Sequence, residues 1–286
     1  MYTVEMMQGL NGIKNSKHGI RRNGVPILWP WLLFFVLQTL LFSLCYAGVT
    51  PQQPVKILCL GDSITQSANI KSSYRFYLWK AMVDLDWQVD FIGTMESCYP
   101  EKDRSGGDHY QGRQFDRDHE GHWGWTADQI LGIDKTIPEN TGKGNLSEWL
   151  TAYTPDIVLL HLGHNDAGLG EPLEETKEKL KKIIALIQED NPGVSILLAK
   201  VIPTDHSEWN DRLIRLNSVI QGIADDTATS DSKVIVIDFS EGFDTETDTF
   251  DGIHPNQKGA EKMAAKWLKG IMAVYETGHP KTVAKP

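Results

Sequence analysis

Five short apolar runs recur along the chain, separated by longer segments with the periodicity of helices. Each run is nearly continuous rather than alternating, which is typical of strands covered on both faces. The runs lie at residues 55–60, 89–92, 157–162, 195–201 and 234–238. Strands that alternate with helices favour a parallel sheet, because each connection must cross over the sheet. We therefore predict an α/β fold: a three-layer, doubly wound (flavodoxin-like) domain with a five-stranded parallel sheet and helices on both faces.

Helical periodicity fills the gaps between the runs. Apolar residues at positions 180, 183, 184 and 187 recur at helical spacing, and Asn191-Pro192-Gly193 is a strong stop signal after them. Further helices are predicted at residues 74–84, 127–131, 213–223 and 255–275. Residues 96–120 show no clear periodicity and are rich in Gly, Asp, Arg and His, so we predict surface loops there.

The N-terminal residues have the composition of an export signal. Basic residues precede an apolar run over residues 25–44, and Cys45-Tyr46-Ala47 then places small residues at both positions that a signal peptidase reads. We predict a signal peptide over residues 1–47, a spacer over 48–54, one domain over 55–276 and a tail over 277–286. Cleavage after Ala47 would make the protein secreted. The run is about 20 residues long, enough to span a bilayer, so an uncleaved membrane anchor is the alternative.

The chain is acidic, with a formal net charge of −10 at pH 7, and loss of the basic N-terminal segment would make it more acidic still. Such a surface repels nucleic acid and anionic membranes, so neither is predicted as a partner. It suits a neutral or cationic substrate, and no obligate protein partner is evident. Cys59 and Cys98 follow the signal segment; a disulfide between them stays open, and no cysteine spacing indicates a zinc site.

Gly61-Asp62-Ser63 directly follows the first predicted strand. Gly61 permits a tight turn, so Ser63 can stand at a helix N-terminus with its hydroxyl exposed and its backbone N–H facing a developing oxyanion. These features make Ser63 a candidate nucleophile. A turn and helix cap is the alternative, because Asp-Ser pairs are common at such positions. Asp62 is interpreted as a structural partner of the loop.

Asp251-Gly252-Ile253-His254 places a carboxylate three residues before an imidazole, shortly before the last predicted helix. Asp251 can fix the tautomer of His254 and stabilise the imidazolium, so the two are candidates for the orienting acid and the base. The alternative is a solvated loop. The carboxyl ends of parallel strands meet at one edge of a sheet. Ser63, after the first strand, and His254, after the fifth, are therefore expected to come together.

Two further segments bring candidate donors to the same expected edge. Asn165 follows the third predicted strand, where its side-chain amide can donate to a substrate oxygen; a turn and cap pair is the alternative. Gly124 lacks a side chain, so its N–H can approach a reacting carbonyl closely. Trp123 and Trp125 flank Gly124 and are either core residues or a platform on which sugars stack.

Together these segments resemble, in order, the four blocks of the SGNH (GDSL-type) hydrolase superfamily. The matching segments are Gly61-Asp62-Ser63, Gly124, Gly163-His164-Asn165-Asp166 and Asp251-Gly252-Ile253-His254, with Ile64 in place of the leucine of the eponymous motif. The resemblance runs from about residue 55 to residue 267. It implies a serine esterase with Ser63, His254 and Asp251 as catalytic residues. It also implies an oxyanion hole formed by Ser63, Gly124 and Asn165, with no metal and no organic cofactor.

Within the superfamily the chain is most similar to carbohydrate esterase family 3. The likeness rests on Val89-Asp90-Phe91-Ile92-Gly93 and on His119-Glu120-Gly121-His122 leading into Gly124-Trp125-Thr126. It implies removal of acetyl groups from xylan-type carbohydrate, an acetylated carbohydrate being the expected partner, with Trp123 and Trp125 as candidate substrate contacts. A lipase, lysophospholipase or thioesterase that uses the same four residues is the alternative.

Three other classes of protein stay open. His119/His122 and His161/His164 form two His-x-x-His pairs, but neither has the zinc-protease pattern and no carboxylate partner is evident. A flavodoxin-like FMN protein would share the sheet and a Ser/Thr-rich first loop, whereas the export signal and the Gly, Asn and His blocks argue against it. A non-catalytic carbohydrate-binding protein would not need the full set of candidate catalytic residues.

Overall fold

The computed structural model of the protein describes residues 53–100, 108–133 and 142–276. The predicted signal peptide, most of the spacer and the predicted tail lie outside these ranges, so the division of the chain into segments stays a prediction. Within the three ranges, no helix combines the length and the apolar composition that crossing a membrane requires. Cys59 and Cys98 are both buried and do not form a disulfide with each other.

The strands of the described residues form two sheets. In chain order the strands are β1 (Val55–Gly61), β2 (Val89–Ile92), β3 (His109–Tyr110), β4 (Arg113–Gln114), β5 (Glu120–Gly121), β6 (Ile157–His161), β7 (Ser195–Lys200) and β8 (Val234–Asp238). The main sheet has the order β2-β1-β6-β7-β8 with all neighbours parallel, and β5 pairs with the end of β1. β3 and β4 form a separate antiparallel hairpin.

The helices form where local sequence favours them. In chain order they are α1 (Ser63–Gln66), α2 (Tyr74–Asp84), α3 (Ala127–Ile130), α4 (Leu146–Ala152), α5 (His164–Leu169), α6 (Leu173–Asp190), α7 (Ser207–Thr227), α8 (Thr245–Asp248) and α9 (Gln257–Glu276). α6 shows the usual signals: Glu174 and Glu175 lie in its first turn, where acidic side chains complement the helix dipole. It ends shortly before Pro192, which cannot continue a helix.

Both faces of the main sheet are covered, and alternate residues of a strand face opposite layers. Leu58 and Leu60 of β1 join one buried cluster with apolar residues of α4, α6 and α7. Ile57 and Cys59 join a second buried cluster with residues of α2 and α9. Strands in such a sheet need continuous apolar runs, because the side chains on each face meet a layer of helices. The predicted three-layer, doubly wound α/β fold is confirmed.

The observed sheet differs from the predicted one in a single strand. All five predicted strands are present, and β5 is a sixth, two-residue strand that was not predicted. The prediction of surface loops over residues 96–120 is wrong in part, because Phe115, His119 and Glu120 are buried. The two polar residues can be buried because each finds hydrogen-bond partners inside the protein, which composition does not reveal.

Candidate active site

The carboxyl edge of the main sheet is where the strands β1, β6 and β8 end. Ser63 follows β1 at the start of α1, Asn165 lies in α5 just after β6, and His254 lies in the loop between α8 and α9, beyond β8. Ligands of doubly wound proteins bind beyond the carboxyl ends of the strands. The candidate residues therefore come to this one edge from three separate segments, each of which follows a strand.

Ser63 begins α1 and is almost fully buried, with 6% of its surface exposed. The carboxylate of Asp62 caps this short helix by accepting a hydrogen bond from the backbone N–H of Ile64 at 2.9 Å. Burial raises the pKa of Asp62 to about 7, although the hydrogen bond opposes this effect. Asp62 thus shapes the turn that presents Ser63.

Arg75, buried at the start of α2, braces the other end of α1. Its Nε donates to the carbonyl of Thr65 at 2.9 Å, and its Nη2 donates to the carbonyl of Gln66 at 3.2 Å. A third nitrogen, Nη1, donates to the carbonyl of Arg117 at 2.8 Å. The first two bonds satisfy carbonyl groups that a short helix leaves unpaired at its C-terminus. The sequence alone assigns Arg75 no chemical role, and the structure shows that it holds the turn that carries Ser63.

Three side chains from the two ends of the domain are hydrogen-bonded in a row. The Nε2 of His254 lies 3.0 Å from the Oγ of Ser63, and its Nδ1 lies 2.7 Å from the Oδ2 of Asp251. The Oδ1 of Asp251 accepts the backbone N–H groups of Ile253 and His254. Burial disfavours the charged carboxylate, but the hydrogen bonds from His254 and Ile253 outweigh it and hold the pKa of Asp251 below its usual value. Asp251 is therefore ionised at neutral pH and can orient the imidazole.

The loop that carries Asp251 and His254 is tied to the loop after β7. The carbonyl of Gly252 accepts hydrogen bonds from the backbone N–H of Asp205 and from the hydroxyl of Thr204, both at 3.0 Å. Gly252 has a φ of +83°, and an added Cβ would lie 2.1 Å from the Asp205 side chain. Glycine is required here both by the backbone conformation and by the close approach of Asp205.

The predicted oxyanion donors lie on segments that are bonded to one another. The side-chain amide of Asn165 donates to the carbonyl of Trp125 at 2.9 Å through one of its two N–H groups. Gly124, the residue before Trp125, is exposed and has a φ of +77°. In the part of the chain that the structure describes, the backbone N–H groups of Ser63 and Gly124 do not donate to a backbone carbonyl. These N–H groups can therefore be offered to a substrate oxygen.

Asp166 forms a second link between α5 and the segment that follows Gly124. Its carboxylate accepts the backbone N–H of Ala127 at 3.1 and 3.2 Å, next to the bond from Asn165 to Trp125. Burial raises the pKa of Asp166 to about 6, against the opposing effect of the bond from Ala127. Two adjacent residues at the start of α5 thus keep the segment after Gly124 beside the end of β6.

A buried pair, Glu120 and His122, supports the segment that leads to Gly124. The Oε2 of Glu120 accepts a hydrogen bond from the Nε2 of His122 at 2.9 Å. Its Oε1 accepts from the hydroxyl of Tyr153 at 2.7 Å and from the backbone N–H of Thr94 at 2.6 Å. Burial lowers the pKa of His122, although Glu120 opposes this effect. These partners offset the cost of burying a carboxylate and hold a polar segment inside the domain.

The two tryptophans beside Gly124 have different surroundings. Trp125 is only 3% exposed, and its ring stacks on His122 with the ring centroids 4.1 Å apart. The ring of Trp125 is packed in the core, which favours the core-residue alternative over the predicted substrate contact for this side chain. Trp123 is half-buried and stacks on the imidazole of His254 with centroids 4.4 Å apart. Trp123 thus lies at the site, in contact with the candidate base.

Two aromatic residues at the site were missed in the sequence. Phe250 stacks on His254 with centroids 5.7 Å apart, and Tyr99 stacks on Trp123 with centroids 4.6 Å apart. The position of Phe250 directly before Asp251 is a signal that could have found it. Tyr99 lies in the aperiodic segment, where no local pattern connects it with the site.

The two His-x-x-His pairs are buried inside the protein. The Nδ1 of His119 accepts the backbone N–H of Gly121 at 2.9 Å, and its Nε2 contacts the carbonyl of Ser97 at 3.3 Å. His161 and His164 are buried, and burial lowers their pKa values to about 4 and about 3. Among the described residues, no group of three or more His, Cys, Asp or Glu side chains is placed to hold a metal ion. The arrangement of these histidines therefore gives the metal-enzyme alternative no support.

The fold and the position of the site define a class of protein, the SGNH α/β hydrolases. Solved structures share this arrangement. A carbohydrate esterase family 3 protein from Talaromyces cellulolyticus matches with a TM-score of 0.63 and 29% identity, over 78% of this chain and 99% of that chain. A family 3 carbohydrate esterase from Clostridium thermocellum matches with a TM-score of 0.61 and 30% identity, over 79% of this chain and 98% of that chain.

The family follows from comparison of sequences. The model of the GDSL-like Lipase/Acylhydrolase family matches residues 59–262, so the chain belongs to this family. A multidomain esterase from Ruminococcus flavefaciens is 31% identical over 229 residues, which are 76% of this chain and 28% of that protein. An arylesterase from Vibrio mimicus is 33% identical over 75 residues, which are 26% of this chain and 38% of that protein. The chain thus spans less than half the length of either relative. The predicted membership of the SGNH (GDSL-type) superfamily is confirmed.

Proposed function

We propose that this protein is a carboxylic ester hydrolase, namely a secreted serine esterase that removes O-acetyl groups from xylan-type carbohydrate. The observation that carries the serine mechanism is the hydrogen-bonded row of Ser63, His254 and Asp251. Its two distances, 3.0 Å and 2.7 Å, suit a nucleophile beside a base and a base beside an orienting acid.

In the proposed reaction the hydroxyl of Ser63 attacks the acetyl carbonyl while the Nε2 of His254 takes its proton. His254 can act as the base because its Nδ1–H is donated to ionised Asp251, which leaves the Nε2 lone pair facing Ser63. The oxygen of the tetrahedral intermediate accepts the N–H groups of Ser63, Gly124 and Asn165. His254 then protonates the departing sugar hydroxyl. A water molecule, activated in the same way, releases acetate from Ser63.

Support for a carbohydrate ester as the substrate comes from similar proteins. The two solved structures named above are family 3 carbohydrate esterases, and this chain covers each of them almost completely at 29% and 30% identity. The net charge of −10 suits a neutral polysaccharide better than an anionic lipid surface. No metal or organic cofactor takes part in the proposed reaction.

The serine mechanism is tested with Ser63→Ala. We expect kcat for p-nitrophenyl acetate to fall on the order of 10⁴-fold or more, because no other group replaces the nucleophile. A fluorophosphonate should label the wild-type protein and leave Ser63→Ala unlabelled. The matched control is Ser218→Ala, an exposed serine on α7 that should keep both activity and labelling. Near-wild-type turnover by folded Ser63→Ala would refute the mechanism.

The choice of substrate is tested separately. The family description covers lipases as well as acylhydrolases, so a lipase, lysophospholipase or thioesterase is the second candidate. We expect a higher kcat/KM for p-nitrophenyl acetate than for the butyrate and palmitate esters, and release of acetate from acetylated xylan. A preference for long acyl chains, or for an acetyl thioester over acetylated xylan, would favour the second candidate instead.

Secretion is proposed on the sequence of residues 1–47, which lie outside the described residues. The basic residues, the apolar run and the small residues before Gly48 are the supporting features. N-terminal sequencing of the protein recovered from the medium of an expressing host should begin at Gly48. An intact N-terminus found in the membrane fraction would support the anchor over residues 25–44 instead.

A further inference from the structure

Four aromatic rings, one of them the imidazole of His254, form a series in which each ring stacks on the next. Tyr99 stacks on Trp123 with centroids 4.6 Å apart and planes at 20°, and Trp123 stacks on His254 at 4.4 Å and 20°. Phe250 stacks on His254 at 5.7 Å and 17°. The imidazole therefore has an indole and a phenyl ring as nearly parallel neighbours. We call these four residues the aromatic column.

The hydrogen bonds of His254 leave one motion of its ring weakly opposed. They hold Nδ1 near Asp251 and Nε2 near Ser63, at two separate points of the ring. Movement of the ring perpendicular to its own plane changes these distances little, because it is transverse to both hydrogen bonds. It does, however, carry the Nε2 lone pair out of line with the Ser63 hydroxyl, because that lone pair lies in the ring plane. Flat rings packed against the imidazole oppose this movement directly, since close-packed atoms leave no room for it.

Two members of the aromatic column, Trp123 and Tyr99, are attached to the turn that carries the nucleophile. The backbone N–H of Trp123 donates to the Oε1 of Gln66 at 2.8 Å, and the backbone N–H of Tyr99 donates to the carbonyl of Ser67 at 2.9 Å. Gln66 and Ser67 are the last residue and the C-cap of α1, the helix that begins at the nucleophile. The rings of Trp123 and Tyr99 are therefore placed relative to the hydroxyl that the base must reach.

Phe250 is the fourth member of the aromatic column and stacks on His254. Its backbone N–H donates to the carbonyl of His254 at 3.0 Å, so the residue is fixed within the loop that carries the base. Its side chain is 52% exposed and belongs to neither buried cluster. The phenyl ring can therefore be removed without opening a cavity in the core, which makes Phe250 the position at which the column can be tested.

We propose that Phe250 is a positioning residue that, together with Trp123, keeps the His254 imidazole aligned with Ser63 during turnover. The inference rests on the proposed serine mechanism. It assigns Phe250 an effect on kcat rather than on KM, because the ring acts through the base and not through the substrate. The competing role for an exposed aromatic ring at this place is a platform on which the sugar stacks.

The test compares Phe250→Ala, Phe250→Leu and Phe250→Tyr on p-nitrophenyl acetate and on acetylated xylo-oligosaccharides. We expect Phe250→Ala to lower kcat on both substrates by on the order of tenfold, with KM within about twofold, because small misplacements of a catalytic group are costly in rate. Phe250→Tyr keeps the flat ring and should retain wild-type kcat within about twofold, whereas Phe250→Leu keeps bulk without the ring and should resemble Phe250→Ala. The rate of fluorophosphonate labelling, which involves no sugar, should follow the same order.

The matched control is Ile214→Ala, which removes another exposed apolar side chain, on α7, and should leave kcat unchanged. Equal melting temperatures would show that all variants are folded. A raised KM for the oligosaccharides with an unchanged kcat on p-nitrophenyl acetate would overturn the inference in favour of a sugar platform. Equal losses of kcat in Phe250→Tyr and Phe250→Ala would also overturn it, because the tyrosine keeps the flat ring. Ser63→Ala is measured in parallel. If it is inactive while the Phe250 variants are unaffected, only the positioning role fails; if it is active, the serine mechanism itself fails.

Discussion

The carboxyl group of Asp62 lies beside the nucleophile in the chain and is completely buried. One of its oxygens caps α1 through the N–H of Ile64, and the other has no partner within the described residues. Burial raises its pKa to about 7; the bond from Ile64 opposes this effect, and nearby Asp166 adds to it. Ionising an acid whose pKa is raised in the folded state lowers stability. The turn that presents Ser63 therefore carries a cost that depends on pH.

We predict that Asp62→Asn makes the stability of the protein less dependent on pH. Between about pH 4 and pH 7 the unfolded chain releases the proton of Asp62 while the folded protein keeps it, so the free energy of unfolding falls as pH rises. Asparagine cannot ionise, and its carbonyl oxygen can still accept the N–H of Ile64. The melting temperature of the variant minus that of the wild type should therefore be larger at about pH 8 than at about pH 5. Asp231→Asn, at an exposed position, should show no such trend, and a difference that is constant with pH would contradict the prediction.

Single residues were predictable from sequence where residue type and spacing carry the chemistry. The row formed by Ser63, His254 and Asp251 was identified in this way, and the structure brings its three side chains within hydrogen-bonding distance. Trp123 and Trp125 were not separable in the same way, because both flank one glycine. Which of the two rings is buried depends on tertiary packing against neighbours that no local pattern names.

Among the elements, the loop between α8 and α9 sets the position of the base. It carries Asp251 and His254, and the carbonyl of Gly252 between them is bound by the loop after β7. The backbone N–H of Gly252 donates in turn to the hydroxyl of Thr249 at 2.8 Å. A change at Gly252 therefore acts on both residues of the row that this loop supplies.

We predict that Gly252→Ala lowers kcat by on the order of tenfold or more, because displacement of the base is costly in rate. The added Cβ would lie 2.1 Å from the Asp205 side chain, so either the loop or Asp205 must move. The matched control is Gly242→Ala, at a φ of +70° with open space around the added Cβ. Both variants carry the left-handed backbone cost of roughly 1–2 kcal/mol, but only Gly252→Ala carries the clash. Equal values of kcat in the two folded variants would count against this role of the loop.

The elements of the fold were predictable where a single periodicity runs through them. The five predicted strands are nearly continuous apolar runs, and the long helices α6, α7 and α9 repeat their apolar residues at helical spacing. β5 escaped this reasoning because it is two residues long and contains Glu120, a residue that a buried-strand pattern excludes. Glu120 can be buried because it binds Thr94 and Tyr153, which lie 26 and 33 residues away in the sequence. Such pairings are a product of the fold and have no local signal.

At the scale of the whole molecule, the site depends on packing between the two ends of the domain. Ser63 and His254 are 191 residues apart in sequence. α2, shortly after the helix of Ser63, packs against α9, which follows the loop of His254. Trp267 of α9 is completely buried there, with its ring centroid 6.1 Å from that of Tyr74 and 4.6 Å from that of Phe239. This packing joins the half of the domain that carries the nucleophile to the half that carries the base.

We predict that Trp267→Ala lowers the free energy of unfolding by about 3–5 kcal/mol, the range typical of truncating a large buried aromatic side chain. Trp267→Phe is the matched control: it keeps a ring and removes an indole N–H that has no partner within the described residues, so it should cost less than half as much. Urea unfolding followed by circular dichroism measures both values.

The ring of Trp267 contacts Tyr74 and Phe239 rather than Ser63, His254 or Asp251, so folded Trp267→Ala should keep the wild-type kcat. Its activity and its ellipticity should disappear at the same urea concentration. Loss of activity well before loss of ellipticity in Trp267→Ala, but not in Trp267→Phe, would contradict this prediction. It would mean that the packing of α9 sets the geometry of the site directly rather than only the stability of the fold.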